Sequence, residues 1–83
     1  MTKPTFHYVA TPRAAYRVRY SGDPVLGWCL RLDRQRFLFG WKSLAAVPWH
    51  PPTDEENPTL HYLDAWKVVR DFEQGKLPKE SLL

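Results

Sequence analysis

Residues 16–41, YRVRYSGDPVLGWCLRLDRQRFLFGW, alternate aromatic or aliphatic side chains with arginines over most of their length. Successive side chains of a β-strand point to opposite faces of a sheet, so a period of two predicts strands with one apolar and one cationic face. The predicted apolar set is Tyr16, Val18, Tyr20, Leu26, Trp28, Leu30, Leu32, Phe37, Phe39 and Trp41. The predicted cationic set is Arg17, Arg19, Arg31, Arg36 and Lys42. The pattern indicates an antiparallel sheet with one face in a core and one face in water.

Turn-forming residues divide this stretch into three predicted strands. The sequence SGDP at 21–24 separates residues 14–20 from residues 25–32, and DRQR at 33–36 precedes a third strand over residues 37–42. We expect residues 25–32 to form the central strand.

The register can be chosen so that apolar residues face one another throughout. Pairing Tyr20 with Leu26 achieves this in the first hairpin, and pairing Leu32 with Phe37 achieves it in the second. On the cationic face the same register leaves a low centre at Gly27 and Gly40, which suits close approach of a phosphate backbone.

The residues on either side of residues 14–42 carry many prolines. Pro4 and Pro12 bracket residues 6–10, so residues 1–13 are predicted to form an edge strand or an extended arm. Residues 43–57 are predicted to be a proline-rich loop around Trp49 and His50.

A helix is predicted over residues 58–75, followed by a tail at 76–83. Asn57 and Pro58 suit its start and Gly75 its end. Its apolar stripe is Tyr62, Ala65, Trp66, Val69 and Phe72. The predicted fold class is α+β, a single domain with a small three- to four-stranded antiparallel sheet and one C-terminal amphipathic helix on its apolar face.

Length and composition favour one small binding domain. The chain has 83 residues, of which 4 are Trp, 4 Tyr and 4 Phe, enough to build one core. A single cysteine, Cys29, excludes an intramolecular disulfide and favours a reducing compartment. No apolar run reaches the roughly 20 residues of a membrane span, and the first residues lack a secretory signal. We expect a cytoplasmic protein, monomeric or dimeric.

Charge is distributed unevenly along the chain. The formal net charge is +3, but residues 13–42 hold seven Lys or Arg against two acids, whereas residues 43–83 hold four against seven. A cationic sheet indicates an anionic partner.

Catalytic and metal-binding patterns are weak. His7, His50 and His61 do not share a metal-ligand spacing, and the acids at 54–56 are typical of solvated charges before a helix. Cys29 lacks a histidine positioned by sequence to activate it. We therefore predict no enzyme activity, no metal and no cofactor.

Two functions remain as hypotheses. The first is a binding module that uses Arg17, Arg19, Arg31, Arg36 and Lys42 on nucleic acid or a nucleoprotein complex. Stacking on single strands is not favoured, because the aromatic residues are predicted to point into the core.

The alternative is a protein-interaction factor, such as an inhibitor, adaptor or subunit carried by a phage or mobile element. It would use Trp49 and His50, other exposed aromatic residues or the proline-rich loop.

Overall fold

The structure, a computed structural model, describes residues 5–23, 25, 27–37, 40–51 and 58–83. Four strands form one antiparallel sheet in the order β1-β2-β3-β4, and one helix follows them. The elements are β1 (Phe6–Ala10), β2 (Ala15–Asp23), β3 (Gly27–Gln35), β4 (Trp41–Trp49), α1 (Tyr62–Glu73) and a 3-10 turn (Lys79–Ser81). The predicted fold class is confirmed.

Strand β1 is the edge strand that the flanking prolines allow, not a detached arm. It pairs antiparallel with β2, with Phe6 opposite Arg19 and Ala10 opposite Ala15. The turn between the two strands is tight, and the Thr11 amide donates to the Ala14 carbonyl at 2.9 Å.

The predicted register of the first hairpin is wrong by four residues. Tyr20 pairs with Leu30 instead of Leu26, because β2 continues as far as Asp23. Gly22 permits this extension: its φ is 114°, and a Cβ there would overlap the carbonyl oxygen of Gly27. Because four is an even number, the apolar residues of β2 still lie on the apolar face.

The third predicted strand and the start of the proline-rich loop are also wrong. The strand runs over Trp41–Trp49, so Trp28 pairs with Trp49 instead of Trp41. The Arg36 amide donates to the Gly40 carbonyl at 2.7 Å and closes a longer turn, which leaves Phe37 97% exposed instead of in the core. Residues 52–57 of the predicted loop lie outside the described residues, as do Leu26 and Phe39 of the predicted apolar set.

A β-bulge interrupts the pairing of β3 with β4. Leu32 pairs with Ala45, whereas the next residue, Asp33, pairs with Ser43, so Leu44 is the extra residue. One extra residue reverses the faces of the strand beyond it. Ser43 and Trp41 consequently lie on the face opposite the core.

Helix α1 starts later than predicted, at Tyr62 instead of residue 58. Leu60 is fully buried, and its carbonyl accepts a 2.6 Å hydrogen bond from Nε2 of His7 on β1. These contacts hold residues 58–60 against the sheet in a non-helical conformation, so His61 occupies the N-cap position. Asn57, the predicted cap, lies outside the described residues.

The C-terminal end of α1 agrees with the prediction at Gly75. The Gly75 amide donates to Phe72 and the Lys76 amide to Asp71, which is the Schellman arrangement, and Gly75 has a φ of 69°. The tail then returns to the sheet, where Leu82 bridges Ala45 and the Leu83 amide donates to the Leu44 carbonyl at 3.0 Å.

The core lies between the sheet and α1. Each fully buried aliphatic side chain contributes about 1.5–3 kcal/mol, and this set comprises Val9, Val18, Leu32, Leu60 and Val69. On the helix the buried residues are Ala65, Val68 and Val69, whereas Tyr62 and Trp66 of the predicted stripe are 47% and 41% exposed. The buried side of α1 therefore includes Val68, which the predicted stripe omits.

Candidate binding surface on the open sheet face

The sheet face opposite α1, called here the open face, has two rows of side chains at its centre. In one row Phe6, Arg19, Arg31 and Ala46 are successive cross-strand neighbours. In the other, the neighbours are Tyr8, Arg17, Asp33 and Ser43. No helix among the described residues covers this face.

Three aromatic rings form a connected cluster on the open face. Tyr8 and Trp41 stack with ring centroids 5.7 Å apart, and Phe6 meets Tyr8 edge-on at 5.2 Å. The guanidinium of Arg17 lies 4.7 Å from the centre of the Trp41 ring. Phe6 is 43% and Tyr8 61% exposed, so both present ring surface to solvent.

Trp41 was predicted to lie in the core, and this prediction is wrong because the bulge at Leu44 reverses its face. Tyr8 and Phe6 received no site assignment from the sequence. The alternation of β1 would have placed them opposite His7 and Val9, but nothing in that alternation shows which set faces α1.

A buried carboxylate organises two of the arginines. Asp33 is 1% exposed, and its Oδ2 accepts hydrogen bonds from Arg17 Nη2 at 2.9 Å and Arg19 Nε at 3.2 Å. Ser43 donates to Oδ1 at 2.9 Å. The sequence placed Asp33 in a turn. Its pairing with two arginines depends on the register, which the alternation leaves open.

Arg31 differs from the other two arginines of this face. It lies directly across from Arg19, a like charge, and its buried Nε has no hydrogen-bond partner among the described residues. Like charges opposite one another in a sheet are destabilising. An anion placed between the two guanidinium groups would offset that repulsion.

The structure divides the five predicted cationic residues into two groups. Arg17, Arg19 and Arg31 lie together on the open face, whereas Lys42 pairs with Arg34 on the other face. Arg36 and Lys42 line a shallow depression of about 280 Å³ at the β3–β4 turn. The predicted low centre is absent as well: Gly27 and Gly40 lie beside the turns at the strand ends, outside the two central rows.

Trp49 and His50, the predicted protein-contact residues, have different environments. Trp49 is 9% exposed and packs against Tyr20, with ring centroids 5.6 Å apart. His50 is exposed at the end of β4. At 9% exposure, Trp49 offers little ring surface to a partner, and its role in protein contact stays a prediction.

The remaining chemistry-bearing residues are dispersed. His7 is bound to the Leu60 carbonyl, His61 is exposed at the start of α1, and Cys29 lies 3.4 Å from the hydroxyl of Ser21. Within the described part of the chain, no three His, Cys, Asp or Glu residues converge on a possible metal position. The acids at 54–56 lie outside the described residues.

A groove of about 290 Å³ runs between β4, α1 and the tail, on the side of the sheet that faces the helix. Trp49, Val68 and Leu77 line it together with Asp64 and Asp71. The described lining residues include no histidine, serine or cysteine. We assign no reaction to this groove.

Comparison with known proteins gives no relative for this arrangement: no protein-family model, curated protein or solved structure matches the chain. Across the described residues, no helix has the length and apolar character needed to span a bilayer.

Proposed function

We propose that this chain is a non-enzymatic binding module that holds single-stranded nucleic acid, free or within a nucleoprotein complex, on its open face. The observation that carries the proposal is the presence of exposed rings beside arginines on one sheet surface that no described helix covers. Bases stack on Phe6 and Tyr8, and phosphates are held by Arg31 and Arg19. The single cysteine fits a cytoplasmic setting for this activity.

Stacking and charge have separate roles in this proposal. An aromatic ring contributes about 1–3 kcal/mol per stacked base and accepts any base, because each base has a π-face. The planar guanidinium of arginine matches the geometry of a phosphate group. Arg31 is the best phosphate ligand of the three, since Asp33 already accepts hydrogen bonds from Arg17 and Arg19.

A single strand is favoured over a duplex because paired bases have no free ring faces to stack on Phe6 and Tyr8. In a duplex, only the phosphates and the groove edges of the bases would meet the sheet. The aromatic cluster would then contribute little. We therefore expect a short single strand to bind more tightly than a duplex of the same sequence.

Protein interaction is the second candidate function. The same exposed rings of β1, Phe6 at 43% and Tyr8 at 61%, form an apolar surface that a protein partner could cover. A pull-down from the native host, with and without nuclease, separates the two functions. Capture that survives nuclease treatment supports the protein partner.

The proposal is tested by fluorescence anisotropy with a labelled single-stranded oligonucleotide, its duplex, and a variant carrying Phe6→Ala and Tyr8→Ala. Loss of two stacking positions should lower the affinity for the single strand at least tenfold, since each ring contributes about 1–3 kcal/mol. The affinity for the duplex should change much less.

Trp66→Ala is the matched control for this experiment. Trp66 is 41% exposed, a fraction similar to the 43% of Phe6. It lies on α1 against Arg70 and not on the open face. This variant should bind like the wild type. Equal losses for the two variants, or no binding by the wild type at low salt, would contradict the proposal.

Replacement of Arg17 and Arg19 together is a poor test. Both donate to the buried carboxylate of Asp33, so their loss would leave that charge without its arginine partners and destabilise the fold. Lower affinity in such a variant would not separate binding from folding.

A further inference from the structure

Among the described residues, one edge of the sheet is partly covered and the other edge is not. The edge of β4 is partly covered by the tail, through the Leu82–Ala45 bridge and the hydrogen bond from Leu83 to Leu44. Strand β1, the other edge, pairs only with β2 among the described residues. An uncovered strand edge presents unpaired amide and carbonyl groups that can pair with another strand.

Hydrogen-bond geometry identifies which groups of β1 are unpaired. The Thr11 amide donates to Ala14, the residue directly opposite it. Hydrogen-bonded and non-hydrogen-bonded pairs alternate along an antiparallel ladder. The backbone groups of Val9 and His7 therefore point toward β2, whereas those of Phe6, Tyr8 and Ala10 point outward.

These three outward-facing residues are spaced to pair with themselves. An antiparallel copy of β1 related by a two-fold axis at Tyr8 sets Tyr8 opposite Tyr8, and Phe6 opposite Ala10 at both ends. Every outward amide then meets a carbonyl. Strand β1 contains no Lys, Arg, Asp or Glu, so this pairing brings no like charges together within the strand.

Apolar side chains flank this edge on both faces of the sheet. Phe6 and Tyr8 are exposed on the open face, and Tyr62 of α1, 47% exposed, lies edge-on to His7 at 5.7 Å on the helix side. Edge strands commonly carry a charged residue or a proline that blocks pairing. Over Phe6–Ala10 this chain has neither.

We propose that two copies of this chain associate through β1 in this two-fold register and form a continuous eight-stranded sheet. The tail over β4 limits assembly at the opposite edge, so the product is a closed dimer and not a filament. The pairing does not depend on the proposed nucleic-acid function. If both hold, the two open faces join, with the two Tyr8 residues adjacent at the centre.

Analytical ultracentrifugation of the chain from micromolar to near-millimolar concentration tests the dimer. We expect a reversible shift from 9.8 kDa to twice that mass. Ala10→Pro removes one outward amide without removing a bond to β2 and should keep the protein monomeric, whereas Ala10→Ser keeps that amide and should dimerise like the wild type. Circular dichroism checks that both variants are folded.

Amide hydrogen exchange supplies a second readout that needs no variant. In a monomer His7 and Val9 should be protected, and Phe6, Tyr8 and Ala10 should exchange fast. In the dimer all five should be protected, to a degree that rises with concentration. A mass of 9.8 kDa at every concentration, or a dimer in which Phe6, Tyr8 and Ala10 still exchange fast, would overturn the proposal.

Discussion

Under the proposed function, folding and binding make opposite demands on Arg31. Its Nε is buried without a hydrogen-bond partner among the described residues, and Arg19 lies directly opposite. A buried donor without a partner costs about 1–3 kcal/mol. An apolar side chain of similar length at this position would remove both the unpartnered donor and the repulsion from Arg19.

Arg31→Met should therefore affect stability and binding differently. We expect the free energy of unfolding to stay the same or to rise by about 1 kcal/mol, because the unpaired donor is removed. Affinity for a single-stranded oligonucleotide should fall, and its dependence on salt should weaken, because one phosphate contact is lost. Urea unfolding and anisotropy at several salt concentrations measure both effects.

Lys67→Met is the control for Arg31→Met, since Lys67 is an exposed cation of α1 on the other side of the sheet. Lys67→Met also removes one positive charge. Because this charge lies away from the open face, the affinity should stay nearly unchanged. Were both variants to lose affinity equally, net charge alone would explain binding. Destabilisation by Arg31→Met would show that the guanidinium has a structural role.

Tyr16 links β2 to the end of α1 and gives the fold a dependence on alkaline pH. Burial raises the pKa of the Tyr16 hydroxyl above 10.0, and the hydrogen bond to Glu73 and the charge of that residue raise it further, against a smaller lowering by Arg34 and Arg13. The unfolded chain therefore releases this proton at lower pH than the folded protein. The contribution of Tyr16 is complete below about pH 10 and is lost as the pH rises through the folded pKa.

Tyr16→Phe isolates this effect. The variant should be less stable than the wild type near neutral pH by about 1 kcal/mol, the net value of a typical hydrogen bond. The difference should shrink as the pH rises above about 10, since only the wild type has this hydroxyl to ionise. Urea unfolding of both proteins over that range measures it, and a constant difference would show that Tyr16 does not titrate in this way.

At the scale of elements, the alternation in residues 16–41 correctly assigned most side chains of β2 and β3 to their faces. The pairing itself was wrong by four residues in the first hairpin. Period two fixes only the parity of a register, and turn residues such as Gly22 can stand inside a strand as well as in its connection. The position of the turn was therefore predicted wrongly. The assignment of side chains to faces stayed correct because the error was an even number of residues.

The bulge at Leu44 did change the face on which side chains lie, because it inserts an odd number of residues. It moved Trp41 from the predicted core to the open face and brought Ser43 to Asp33. No residue type in β4 predicts a bulge. Trp41 was assigned to the wrong face for this reason, whereas parity alone placed Arg17, Arg19 and Arg31 on the face opposite the core.

At the scale of the whole molecule, one layer contains the helix and the other is a sheet whose cationic and aromatic surface no described helix covers. Acids are concentrated in residues 43–83, and the arginines are concentrated in the sheet. This separation of charge would attract a polyanion to the open face and orient α1 away from the polyanion. Weakening of binding with salt is the expected consequence.

Titration of the isotopically labelled protein with a short single-stranded oligonucleotide, followed by NMR, tests the central claim most directly. The indole N–H of Trp41 and the Nε–H of Arg31 report the open face, and the indole N–H of Trp66 reports α1 in the same sample. We predict saturable shifts at Trp41 and Arg31 with Trp66 unchanged. Shifts confined to Trp66 and α1, or none at low salt, would contradict the account.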